Sequence, residues 1–386
     1  MKILVLSYYY HPDLSAGSFR VKSIIDSLIN ESSRKINIDI VTTKPNRYQK
    51  FRPEINDNIL KTINIHRIKV NNHKSGLLSQ SLAFIIFAFN TLKFVKNKDY
   101  DLIFASSSRL MTAALGAYIS MKKNINLYLD IRDIFLDTIE DVYKSKIYKI
   151  IKLFIGYIEK FTINQASHIN LVSEGFANYF NKKYPNKSYS FFTNGIDNIF
   201  ASLPIKKSIN KKIKILYAGN IGEGQGLDKI LPKLLLELPN NYYTTIIGDG
   251  GRRKKLELEL EKHKAINYEI LNPVTQEALI LKYLEADILF LHLNSHNAFL
   301  KVLPSKIFEF AATHKPICAG VSGYSREFLL NNVSNCSVFE PCNVKDAKKC
   351  ILNIDLTVKK RTEFINKFSR NNISIKIAKN ILGMKC

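Results

Sequence analysis

Short runs of apolar and β-branched residues alternate with segments of helical periodicity along the whole chain. That alternation predicts parallel strands joined by crossover helices. In the first half the strand-like runs are Lys2–Ser7, Ile36–Val41, Ile63–Val70, Leu102–Ala105, Ile125–Asp130, His168–Val172 and Tyr189–Thr193. From about Asp197 to Lys212 the chain is rich in Lys, Ser, Asn and Pro and loses its apolar period, the composition of a linker. The rhythm restarts with strands at Ile213–Ala218, Tyr243–Ile247, Asn267–Ile270, Ile288–His292, Pro316–Gly320 and Ser337–Phe339. Helices are expected between them at Leu227–Leu238, Arg252–His263, Gln276–Glu285, Ser305–Thr313 and Tyr324–Asn331.

The expected class is therefore α/β, with two Rossmann-like domains at 1–197 and 213–365, a linker at 198–212, and a helical segment at 366–386 that crosses back to the first domain. A length of 386 residues agrees, because single cores stop growing near ~250–300 residues. In open α/β sheets ligands bind beyond the carboxyl ends of the strands, so chemistry is expected in a cleft between two such domains.

Composition narrows the partners. The net charge is +24, and a field of that sign attracts phosphates, anionic lipid or nucleic acid. Basic residues exceed acidic ones by 28 to 16 in residues 1–200 and by 29 to 17 in 201–386, so no basic tail concentrates the excess. With no helix-turn-helix, zinc-finger or RNP pattern, a nucleic-acid binder is disfavoured. The five cysteines, at 318, 336, 342, 350 and 386, signal neither a disulfide framework nor a metal site, and a reducing cytoplasm is the expected location. The apolar start is too short for a signal peptide, and polar residues interrupt the apolar stretch Leu77–Val95. No span is expected there.

Five motifs sit where strands meet helices. Pro12–Arg20 carries Gly17 and Ser18 into the first helix, as a simple turn or as a loop whose N–H groups approach a ligand. Asp130-Ile131-Arg132-Asp133 ends a strand, either as a salt-bridged loop or as charges that orient ligand hydroxyls. Ala218–Leu227 holds four glycines but not the GxGxxG spacing. Ile247–Leu256 adds Gly248, Gly250 and the cations Arg252, Arg253, Lys254 and Lys255 at a helix start, which opposes the helix dipole unless an anion or acid compensates. In Val302–Ala312, Pro304 and Ser305 start a helix that places Lys306 and Glu309 on one face, as a surface ion pair or as a cation and carboxylate for a phosphorylated ligand.

In this order the motifs resemble glycosyltransferase family four, and within it the WbuB-like subgroup of capsule and O-antigen enzymes. The stretches that carry the likeness are ILVLSYYYHPDLSAGSFR, DIRD with Phe135 and Asp137, NLVSEGF, FFTNGID, ILYAGNIGEGQGLDKIL, IIGDGGRRKKLE and VLPSKIFEFAATHKPICAGVSGYSREFL. The resemblance implies a GT-B fold and transfer with retention, without a metal ion or resident cofactor, from a nucleotide sugar. A UDP-linked N-acetylated amino sugar or related hexose is the expected donor. It places Gly17 and Ser18 near the donor phosphates, Glu309 on the ribose, and Gly219, Gly248, Gly250, Arg253 and Ser305 around the nucleotide. Asp133 falls in a loop that contacts the sugar. The sequence departs from the wider family at Lys301, where a glutamate is usual, at Asn220 and Gln225, where the phosphate-binding Arg and Lys are usual, and at Arg132, where His is common. The phosphate role passes to Lys306, with Arg132 as helper.

The implied acceptor is a saccharide or a polyprenyl-phosphate-linked glycan in cell-surface polysaccharide synthesis. The stretch Lys144–Phe154 and the segment Lys93–Lys98 interleave lysines with apolar residues, as a core helix with solvated lysines or as a face lying peripherally on anionic membrane. A non-hydrolysing UDP-sugar epimerase is the alternative enzyme of similar architecture. It needs acid–base residues at the sugar carbon, and no carboxyl–His arrangement stands out for that task.

Overall fold

The computed structural model describes residues 1–13, 15–46, 61–70, 77–107, 110–134, 136, 146–205 and 212–384. Phe135, Asp137 and Lys144 of the sequence motifs, and 206–211 of the expected linker, lie outside the described residues.

The chain divides into two compact units, one made of 1–194 with 370–386 and the other of 195–369. The first contains strands β1 (Lys2–Leu6), β2 (Asn37–Thr43), β3 (Ile63–Ile68), β4 (Leu102–Ser106), β5 (Asn126–Ile131), β6 (His168–Leu171) and β7 (Tyr189–Ser190). They form a parallel sheet in the order β3-β2-β1-β4-β5-β6-β7. Its helices are α1 (Ala16–Glu31), α2 (Leu77–Val95), α3 (Leu110–Lys123), α4 (Lys146–Gln165) and α5 (Ala177–Lys183). The second unit opens with α6 (Asn198–Ala201). Its parallel sheet, ordered β10-β9-β8-β11-β12-β13, comprises β8 (Ile213–Ala218), β9 (Tyr242–Ile247), β10 (Tyr268–Leu271), β11 (Ile288–His292), β12 (Ile317–Gly320) and β13 (Cys336–Phe339). Helices α7 (Leu227–Glu237), α8 (Arg253–Lys262), α9 (Gln276–Glu285), α10 (Lys306–Ala312), α11 (Tyr324–Asn332), α12 (Val344–Asn353) and α13 (Thr362–Lys367) surround that sheet, and α14 (Arg370–Leu382) returns to the first unit.

The central strands are apolar on both faces, as a parallel sheet covered by helices requires: Ile3, Leu4, Val5 and Leu6 are all fully buried. One face is closed by α1 and α14, where Val21, Ile24, Ile25 and Leu28 share a core with Ile373, Ile377, Ala378 and Ile381. In the second unit, Phe308, Phe328, Phe364 and Phe368 pack edge-on and stacked around one another.

Three details differ from the pattern read along the sequence. The expected linker begins with α6, whose Phe200 is buried in the second unit's core beside the preceding Ile196, because an aromatic side chain gains from burial even within a polar stretch. Strand β7 ends at Ser190 rather than Thr193, because the carbonyls of Phe192 and Thr193 accept hydrogen bonds from Arg20 instead of from a neighbouring strand. Cys318 of β12 and Cys350 of α12 form a disulfide, which a spacing of 32 residues did not signal.

Arg20 is the organising side chain of the first unit. It is 2 % exposed, and its guanidinium meets the fully buried Asp130 carboxylate through Nε and Nη2, both at 2.9 Å. Asn170 donates to the same carboxylate at 2.8 Å, while its own carbonyl oxygen accepts from the Phe192 amide and the Ser190 hydroxyl. Burial alone would raise the Asp130 pKa, but Arg20 outweighs it and holds the carboxyl below its ordinary range. Removing one partner leaves an uncompensated buried charge, worth about 3–5 kcal/mol. Arg20→Met is therefore expected to lower the unfolding free energy of the first unit by about that amount in urea, whereas Lys22→Met, which removes a half-exposed pair with Asp26, shifts it by less than about 1 kcal/mol. Equal midpoints for the two variants would remove the pair from its structural role.

Candidate functional site

In the first unit the Pro12–Arg20 segment enters α1 with Ser15 as its N-cap, the Ser15 hydroxyl accepting from the Ser18 amide at 3.2 Å. Gly17 is packed against Arg132: a Cβ there would lie 3.3 Å from Nη1. Nη1 of Arg132 and Oγ of Ser18 are both buried and make no hydrogen bond among the described residues. Two donors and the first turn of a sixteen-residue helix thus lie together without an acceptor, the elements of an anion site. Asp133, the residue after Arg132, is exposed. Its partner in sequence, Asp130, is the buried structural carboxylate described above, so the two acids of the motif have different surroundings and different work.

In the second unit the glycine-rich loop after β8 is held on every side by polar contacts. Asn220 Nδ2 donates to Gln225 Oε1 at 2.9 Å, and the Gly222 amide donates to the same oxygen at 3.3 Å. Asn220 and Gln225 therefore bind each other and close the loop with neutral amides. Gly226 takes a positive φ of 57° as the cap of α7, lying against Asn294, and the Asn294 side chain donates to the Glu223 carbonyl at 2.9 Å. Gly248 allows the closest approach: a Cβ there would collide with the carbonyl oxygen of the facing Gly219.

His292, at the end of β11, ties this loop to the 340–343 turn. Its Nδ1 bonds to the Gln225 carbonyl at 2.6 Å and its Nε2 accepts the Cys342 amide at 2.9 Å, which fixes the neutral Nδ1–H tautomer. Desolvation pushes its pKa down to about 4, although the Gln225 contact pulls the other way.

The basic run that opens α8 is compensated by acids. Arg252 pairs with Glu223, Arg253 with Glu257 at 2.9 Å, and Lys255 with the buried Asp228 at 3.0 Å. Nη1 of Arg253 also donates to the Gly248 carbonyl at 2.9 Å and to Asn272 Oδ1 at 2.8 Å. Arg253 thus clamps the Gly248–Gly250 turn, and its cost against the helix dipole is offset by its ion pair.

At the start of α10, behind Ser305, the structure brings Lys306 and Glu309 together. Lys306 Nζ donates to Glu309 Oε2 at 2.6 Å and to the Tyr283 hydroxyl at 3.0 Å, and that hydroxyl donates to the same carboxylate oxygen at 3.1 Å. Burial would lower the Lys306 pKa, but Glu309 more than reverses this and holds the ammonium above its usual value. Both bonds to Glu309 end on Oε2, and Oε1 has no partner among the described residues. The triad sets a carboxylate oxygen in a fixed orientation at a helix start.

Sequence reading singled out neither Tyr283, His292, Asn294 nor Glu223. Tyr283 lies 26 residues before Glu309 and reads as an apolar position of α9. His292 reads as the last residue of a buried strand.

The profile of the family "glycosyl transferases group 1" matches residues 200–370. No curated protein matches the chain by sequence. Among solved structures, the chain is similar to sucrose-phosphate synthase from Thermosynechococcus elongatus, with a TM-score of 0.76 at 13 % identity over 98 % of each chain. It is also similar to Anabaena HepE in complex with UDP and glucose (TM-score 0.69, 15 % identity, all of both chains). WaaG, a glycosyltransferase involved in lipopolysaccharide biosynthesis, gives a TM-score of 0.67 at 14 % identity over the full length of both chains. The chain has the GT-B fold, two α/β units with parallel sheets.

The state of His292 sets a pH dependence. Its folded pKa of about 4 lies below its ordinary value of 6.5, so as pH falls through this window the unfolded chain takes up a proton that the folded chain refuses. The His292 contribution to stability is full above pH 6.5 and falls by on the order of 3 kcal/mol towards pH 4. His292→Leu is expected to be less stable at pH 7.5 by about 1–3 kcal/mol, because the Cys342 amide and Gln225 carbonyl lose their partner, and to show a flatter pH profile. Urea titrations of both proteins at pH 4.5, 6 and 7.5 measure this, and parallel profiles would contradict it.

Proposed function

We propose that the protein is a glycosyltransferase that uses a UDP-sugar donor held by the second unit. The observation that carries this reading is the Lys306–Glu309–Tyr283 triad at the head of the helix that follows β11, with a glycine-rich loop after the neighbouring strand β8, in a unit matched by the group 1 glycosyl transferase profile. A carboxylate oxygen fixed by two donors is suited to a pair of ribose hydroxyls, and Lys306 adds positive charge near it. Glycine backbone at 219, 248 and 250 allows close approach of a nucleotide. UDP is supported as the nucleotide by its presence in the complex of the similarly folded HepE.

In this reading the second unit binds the ribose through Glu309 and the diphosphate through Lys306 and Ser305, and the first unit's own anion site is formed by Arg132 and Ser18 with Gly17. Asp133 contacts the sugar, while Asn220, Gln225 and Arg253 shape the nucleotide loop. Cations directed at the leaving diphosphate lower the barrier as its charge develops, with no metal ion required. We assign retention of configuration, an N-acetylhexosamine or hexose as the sugar, and a saccharide or polyprenyl-phosphate-linked acceptor of cell-surface polysaccharide. The motif order supports family four and its WbuB-like subgroup. The epimerase alternative gains nothing from His292, since both ring nitrogens are already hydrogen-bonded in the core.

Calorimetric titration of the protein with UDP, GDP and ADP in EDTA tests the reading. UDP is expected to bind selectively, and Glu309→Gln to weaken it about 10- to 100-fold, the value of a hydrogen bond to a charged group. Absence of UDP binding, or equal affinity in the variant, would sink the assignment.

A further inference from the structure

Three loops leave the second sheet side by side after β8, β9 and β10, and backbone hydrogen bonds stitch them into one surface. The Gly219 amide donates to the Ile247 carbonyl and the Ile221 amide to the Asp249 carbonyl, both at 2.9 Å. The Arg252 amide returns a bond to the Ile221 carbonyl at 2.9 Å, and the Gly248 amide donates to the Leu271 carbonyl at 3.1 Å. Side chains that project from this surface therefore stand on a fixed base.

Asn272, the residue after β10, is exposed here and has a set orientation. Its Oδ1 accepts from Arg253 Nη1 at 2.8 Å, and the same nitrogen donates to the Gly248 carbonyl at 2.9 Å. A guanidinium has donors alone, so the amide cannot turn its nitrogen towards Arg253. Nδ2 consequently points away from the clamp, and it has no partner among the described residues. Arg253 Nε is paired with Glu257, so the cation that orients Asn272 is itself neutralised. Pro273 and Val274, both half-buried, follow Asn272, and Val274 packs on the apolar core. An uncharged donor beside apolar side chains suits a planar ring that bears a carbonyl and is of little use to a phosphate.

We infer that Asn272 selects the nucleobase, with Nδ2 donating to the C4 carbonyl of uracil. The inference rests on the UDP-donor reading and deepens it. In the strand order β10-β9-β8-β11, Asn272 follows the outermost strand, while Lys306 and Glu309 open the helix after β11. A nucleotide whose ribose lies on Glu309 turns towards β10 the part of its base farthest from the sugar, and in a pyrimidine that is the C4 substituent. Uracil carries an acceptor there and cytosine an amino donor, so the amide that bonds one meets the other donor to donor. Discrimination comes from a fixed NH2 group rather than from the size of the site.

Calorimetric titration of the whole protein with UDP, CDP and inorganic pyrophosphate, repeated for Asn272→Asp and Asn272→Gly, tests the inference. The parent is expected to bind UDP about ten-fold or more tightly than CDP, the scale of one unmatched polar group. Asn272→Asp keeps an acceptor for Arg253 and presents an oxygen in place of Nδ2, so the preference should invert in favour of CDP. Asn272→Gly should erase the preference, and pyrophosphate, which has no base, should bind all three proteins alike. Equal affinities of the parent for UDP and CDP, or a UDP-to-CDP ratio that both variants leave unchanged, would overturn the inference while the donor reading stands. No binding of UDP by the parent would overturn both. Should Asn272→Asp fail to fold, Asn272→Gly decides alone.

Discussion

The Arg20–Asp130 ion pair fixes the architecture of the first unit, because four separate pieces of chain converge on it. Helix α1 supplies the guanidinium, β5 the carboxylate, β6 the Asn170 amide, and the segment after β7 two carbonyls. A buried ion pair of this kind gains little over an apolar substitute of equal shape, but neither half tolerates the loss of the other. Its value is geometric. With Asp130 committed, Arg132 two residues later emerges beside Gly17 with a buried donor left without a partner, and α1 presents its first turn at the same place.

The second unit solves a comparable problem with neutral groups. Its glycine-rich loop is closed by the Asn220–Gln225 amide contact and anchored by His292 and Asn294, so the backbone is organised before any ligand arrives. Positive charge nearby is mostly spent on internal acids at the head of α8, and Lys306 is spent on Glu309 and Tyr283. The loop and the head of α10 thus offer oriented amides and one ammonium shared with a carboxylate, which is electrostatics by preorganisation more than by net charge.

The alternation of apolar runs and helical segments made both sheets legible, because buried parallel strands advertise themselves as continuous apolar runs. The helix-start pairing of Lys306 and Glu309 was equally legible, since three residues along a helix is a contact distance. What remained hidden lies far apart in sequence. Tyr283 joins the triad across 26 residues and Arg20 reaches Asp130 across 110, separations at which no local period survives. Whether an anion or an acid compensates the basic run at 252–255 stayed open in the sequence, because Glu223 and Asp228, the partners of Arg252 and Lys255, sit on a different loop and helix. Phe200 was lost inside a polar stretch for the opposite reason: one aromatic residue changes composition too little to show.

The return of α14 to the first unit has a consequence for how the protein is made. In chain order the second unit is an insertion, entered after Asn194 and left before Arg370, and Ile196 and Phe368 are hydrogen-bonded where the two passages meet. A ribosome delivers 194 residues of the first unit and then the whole of the second before it releases the helix that covers α1. Domains generally fold as units in the order of their synthesis. Here the first to appear is the last to close, with the core that Val21, Ile24 and Leu28 share lacking its α14 side chains for about the ten to forty seconds that some 190 residues take at ~5–20 residues per second.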